Sequence, residues 1–136
     1  MIDAQETQWH ASSTHGAVER LTDRVCERIR ELPLSDKDRF RLKLAIHEAL
    51  TNALEHGNGN DESKKIVVTL RHLPHEVDII VEDEGNGFDP ATLPDPTDEA
   101  NLLKEGGRGI FLVRCYADEC RFEDNGRRVV IVKRLP

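Results

Sequence analysis

Two residues one helical turn apart, Glu48 and Asn52, have the chemistry of a phosphoryl-transfer site. At i and i+4 they stack on one face of a helix. A carboxylate there is able to take a proton from an attacking hydroxyl, and an amide oxygen one turn along is able to ligate Mg²⁺. Asparagine is a mediocre helix former, so a mid-helix Asn invites a specific reason. Further on, Asp83-Glu84-Gly85-Asn86-Gly87-Phe88 follows a β-like run. Asp83 is placed to accept a hydrogen bond from an exocyclic amine such as that of adenine. Gly85 and Gly87 permit positive φ and the close approach of a ring to the backbone. A third segment, Gly106-Gly107-Arg108-Gly109, leads into the apolar run Ile110-Phe111-Leu112-Val113. The first-turn N–H groups of a helix starting there favour phosphate, with Lys104 and Arg108 as nearby cations. It is not a P-loop, because no Gly-Lys-Ser/Thr follows at the required spacing. Each piece alone is weak; in this order they describe a nucleotide pocket.

Composition limits the alternatives. The 136 residues are one domain by length, and 38% hydrophobic content supplies a core. A net charge of −7 argues against sequence-independent nucleic-acid binding, which needs a basic face. A pocket for an anionic nucleotide then draws positive potential from a metal, backbone N–H groups and a few basic side chains. No apolar stretch approaches the length of a membrane span, and the N-terminus lacks a signal pattern. With Cys26, Cys115 and Cys120 read as reduced thiols, the expectation is a cytoplasmic protein with no membrane contact.

The elements that position these residues are legible in outline. A short strand is expected at 6–11. Val18, Leu21, Val25, Ile29 and Leu32 predict an amphipathic helix over about 16–32, with Ser12, Ser13 and Thr14 as cap candidates. A second helix starts at Ser35, buries Leu42, Ala45, Ile46, Ala49, Leu50, Ala53 and Leu54, and ends near Gly57. Glu48 and Asn52 fall beside that stripe, outside it. Ile66–Leu70 and Val77–Val81 read as an antiparallel pair. Asn125-Gly126 between two further strands is a type I′ hairpin signal. The order predicts an α+β fold, a two-layer sandwich of a mixed, mostly antiparallel sheet with helices on one face.

At these residues the chain resembles the GHKL ATPase superfamily, and within it the small bacterial anti-sigma-factor serine kinases. Glu48-Ala-Leu-Thr-Asn-Ala-Leu-Glu-His-Gly57 resembles their N box, Asp83 to Gly87 their first glycine box, and Gly107 to Gly109 their second. The resemblance implies the Bergerat ATP-binding fold over 1–136, with Glu48 as general base, Asn52 as Mg²⁺ ligand and Asp83 as adenine reader. Gly85 and Gly87 would shape the base pocket, residues about 89–106 would form an ATP lid, and Gly107, Arg108 and Gly109 would lie beside the phosphates. It further implies ATP and Mg²⁺ as cofactors, a serine of an anti-anti-sigma (STAS-type) protein as substrate, a sigma factor as sequestered partner, and a homodimer. The alternative is an ATP-binding switch module that sequesters a partner without phosphotransfer. The arginine-bearing face of the first helix (Arg20, Arg24, Arg28, with Glu27) is a candidate partner surface. One departure stands out. Where the family often places a threonine that supports the adenine-reading aspartate, this chain has Arg127 and Arg128 after Gly126.

Overall fold

Thr14 opens the first helix by accepting a hydrogen bond from Ala17 N–H at 3.1 Å, satisfying a donor that helix geometry leaves unpaired. The computed structural model of the chain describes residues 5–85 and 117–136. Strand β1 spans Gln5–Ser12 and helix α1 spans His15–Ile29. Ser35 caps helix α2 (Asp36–Asn52) through Asp38 N–H at 3.1 Å, with Asp36 and Asp38 in the dipole-favoured first turn. Both helices present the apolar stripes that periodicity predicts: Val18, Leu21, Val25 and Ile29 from α1, Leu42, Ala45, Ile46, Ala49 and Leu50 from α2, all buried. Leu32 continues the first stripe after the helix has ended.

Strands β2 (Lys65–His72), β3 (Glu76–Asp83), β4 (Glu119–Glu123) and β5 (Arg128–Arg134) join β1 in a five-stranded sheet of order β1-β2-β3-β5-β4. Every pairing is antiparallel. The register aligns Val68 with Val81 and Val81 with Val129, and Leu70 with Ile79 and Ile79 with Ile131. This period-2 face is buried in one cluster with the stripes of α1 and α2. Each fully buried aliphatic side chain contributes about 1.5–3 kcal/mol of transfer free energy. The opposite face carries Thr69, Ile80, Val130 and Val132 around Asp78, which is 7% exposed.

Two local expectations change. The β4–β5 connection is not a two-residue type I′ turn. Glu123 pairs with Arg128, so four residues (124–127) connect the strands. They include a 3₁₀ turn, Asp124–Gly126, with positive φ at Asp124 and Gly126. Helix α2 also does not run evenly to Gly57. Its last turn, Ala53–Gly57, is wound as a π-helix, closed by Asn58 N–H to Ala53 C=O at 2.8 Å. Such wide turns recur at functional sites because they rotate the residues beyond them off the α-helical register. The expected helix at 110–113 and lid at 89–106 lie outside the described residues.

Candidate functional site

The π-turn delivers Gly57 against the end of β3. A Cβ on Gly57 would strike the Asp83 carboxylate, and one on Gly85 would strike the Gly57 carbonyl group. Glycine at both positions therefore lets the helix end and the strand end touch. Asp83 Oδ1 accepts from Gly85 N–H at 2.9 Å, folding the strand end back on itself. Its backbone N–H donates to the Arg127 carbonyl at 3.0 Å, anchoring it to the β4–β5 connection. Burial pushes the half-buried Asp83 carboxyl above the ordinary aspartate range. The Gly85 N–H and the charges of Arg127 and Lys64 pull it down, and Asp124 adds to the rise.

Asn58 holds this corner together. It is 2% exposed, and its Oδ1 accepts from Glu84 N–H at 2.9 Å. Its Nδ2 donates to Ser13 Oγ at 2.8 Å and to the Lys65 carbonyl at 3.1 Å. Ser13 in turn donates to the Lys64 carbonyl at 2.7 Å. One side chain thus ties the entry to α1, the start of β2 and the end of β3. Nothing in the local sequence of Asn58, which stands between two glycines, marks a buried amide.

Further back along the same helix, the structure corrects the placement of Asn52. It is not beside the buried stripe but part of it, only 5% exposed. Its Nδ2 has no hydrogen-bond partner among the described residues. A buried amide nitrogen without a partner costs roughly 1–3 kcal/mol. Turned over about its terminal bond, the amide offers its oxygen instead, the donor that Mg²⁺ takes. The buried amide therefore fits a cation. Glu48, one turn earlier, is half-buried. Gly87, Lys104, Gly107, Arg108 and Gly109 lie outside the described residues. On α1, Arg20, Arg24 and Glu27 are exposed, whereas Arg28 is half-buried and engaged with Glu31 and Gln5 at 3.2 Å each.

A helix bearing a carboxylate and an amide, running into a strand end that carries an aspartate and a glycine, is the frame of a nucleotide-binding sandwich. Comparison gives that frame its class: the histidine kinase-like ATPase domain profile matches residues 11–133, and the chain belongs to that family. It is similar to serine-protein kinase RsbW of Bacillus subtilis (strain 168), 32% identical over 104 residues covering 69% of this chain and 63% of that protein. Serine-protein kinase RsbW of Listeria monocytogenes is 30% identical over 99 residues, 68% of this chain and 63% of that protein. The anti-sigma F factor of Clostridium novyi (strain NT) is 32% identical over 100 residues, 69% of each. The chain thus spans a little under two thirds of the length of the two kinases. Among the described residues, no helix is long and apolar enough to cross a membrane.

Proposed function

We propose that the protein is an ATP-dependent serine protein kinase and anti-sigma regulator. It would phosphorylate an anti-anti-sigma (STAS-type) protein and sequester a sigma factor, acting in the cytoplasm as a homodimer. The observation that supports this reading best is the buried Asn52 amide, whose nitrogen has no partner among the described residues, one turn from half-buried Glu48 on the helix whose end meets Asp83. In this reading Asp83 accepts a hydrogen bond from the adenine amine through the oxygen that Gly85 N–H leaves free. Asn52 would hold Mg²⁺ through its amide oxygen, and the ion would supply neutralisation of phosphate charge. Glu48 takes the proton from the substrate serine as its oxygen bonds to the γ-phosphorus and the bond to the ADP oxygen breaks. Gly87, Lys104, Gly107, Arg108 and Gly109 complete the base and phosphate contacts, beneath a lid at about 89–106.

The kinase names of the relatives support phosphotransfer, and the anti-sigma F name supports sequestration. The test is Glu48→Gln. Transfer of ³²P from γ-labelled ATP to a STAS-type partner should fall about 10²–10⁴-fold. ATP affinity, measured by calorimetry, should stay near wild type. Unchanged transfer would remove Glu48 from the chemistry. ATP-dependent partner association with no transfer by the wild type would make the protein a sequestering module instead.

A further inference from the structure

The geometry points to Arg127 as a positioning residue whose charge keeps Asp83 available as a hydrogen-bond acceptor for the nucleotide base. The inference rests on the reading of Asp83 as the base-recognising group.

Both backbone groups of Arg127 are committed to this corner. Its N–H donates to Asp124 C=O at 3.1 Å, closing the connecting turn, and its C=O receives Asp83 N–H at 3.0 Å. The side chain is held with it: Nε is buried and has no hydrogen-bond partner among the described residues. Desolvating a guanidinium nitrogen without a partner is unfavourable, and a fold seeking only packing would place an aliphatic residue there. The 3.0 Å backbone bond sets Arg127 opposite Asp83, whose half-buried carboxyl the Arg127 and Lys64 charges pull down and Asp124 pushes up.

Charge matters at Asp83 because of its hydrogen bonding. Oδ1 is already occupied by Gly85 N–H at 2.9 Å. A proton on the carboxyl therefore settles on Oδ2, the oxygen left for the ligand, and turns an acceptor into a donor facing an amine. Burial favours that protonation; the guanidinium opposes it. Arg127 thus lets the half-buried Asp83 keep accepting at lower pH.

The experiment is calorimetric titration of the full chain with ATP and Mg²⁺ from pH 5 to 8, for wild type, Arg127→Met, Arg127→Lys and Asp83→Asn. Because Asp83→Asn lacks the titrating carboxyl, its profile reports the nucleotide's own protonation and serves as baseline. Wild-type affinity should fall as pH drops through the Asp83 transition. Arg127→Met should move that fall upward by about one pH unit, the low end for losing a nearby opposite charge. Arg127→Lys should restore most of it. Arg127→Gln, which keeps a polar head without charge, should match the methionine variant and replaces it if that variant is unfolded. A neutral variant that overlays wild type, or weakens binding equally at every pH, overturns the inference. Wild-type affinity in Asp83→Asn across the range overturns instead the assignment of Asp83 on which it rests.

Discussion

Asn58→Ala is the substitution by which the structure commits itself most sharply. Three hydrogen bonds leave with the amide: from Glu84 N–H at 2.9 Å, to Ser13 Oγ at 2.8 Å and to the Lys65 carbonyl at 3.1 Å. Ser13 keeps its own bond to the Lys64 carbonyl, so two groups are orphaned, the Glu84 N–H and the Lys65 C=O. At about 1–3 kcal/mol for each unsatisfied group, and with Lys65 and Glu84 both exposed enough to recover part of the loss from solvent, the expected destabilisation is about 2 kcal/mol. That is a large fraction of the roughly 5–15 kcal/mol that holds a domain folded. Urea unfolding followed by circular dichroism reads it as a lower midpoint at unchanged slope. Asn58→Asp sharpens the reasoning, since it keeps the acceptor for Glu84 N–H but sets a carboxylate oxygen against the Lys65 carbonyl. It should be as damaging at pH 8 and partly rescued near pH 5, where the carboxyl regains a donor. An alanine variant within about 0.5 kcal/mol of wild type would refute the account of Asn58 as the tie between the three segments.

Gly57→Ala should act on the ligand more than on the fold. Its Cβ meets the Asp83 side chain, so the carboxylate must leave the Gly85 N–H. ATP affinity should fall about tenfold, one hydrogen bond's worth, and an unchanged Kd would refute the contact. On the other face of the sheet, desolvation and the neighbouring Glu76 carboxyl push Asp78 up to about 7, against the pull of Arg71 and Arg121. An acid whose pKa rises on folding binds its proton more tightly in the native state. Stability from this group is therefore full at low pH and falls as pH climbs from the ordinary aspartate range to about 7. Asp78→Asn should flatten that decline and raise the melting temperature at pH 8 by roughly 5 °C, read by scanning calorimetry. A decline of the same slope in the variant would assign it to other groups.

What the sequence disclosed followed the strength of its periods. Val18 to Leu32 and Leu42 to Leu54 repeat at three and four, and each of the apolar positions named in them is buried. Val77, Ile79 and Val81 alternate, and so they pair and face as alternation requires. The residues of the site were legible as types, since a mid-helix asparagine and a strand-end aspartate before glycine are unusual enough to notice. Their surroundings were not. Whether Asn52 is covered depends on tertiary contacts, and the π-turn that follows it carries no compositional signature either. The Asn125-Gly126 pair pointed correctly to a hairpin but not to its length. Arg128, not Arg127, pairs with Glu123, which leaves Arg127 inside the connection with its carbonyl bonded to Asp83 N–H. Asn58 was invisible for a related reason: its three partners come from segments 7, 26 and 45 residues away.

Strand β5 lies between β3 and β4, so the sheet is completed from the middle by residues translated after every other described element. A nascent chain with β5 still in the exit tunnel can assemble the β1-β2-β3 meander under its two helices, yet it exposes the whole hydrogen-bonding edge of β3. That edge is an open template for a wrong strand. The carbonyl that anchors Asp83 also arrives only then. On the ribosome, the anchoring of Asp83 and protection from mispairing are therefore gained together, in one late insertion of seven residues.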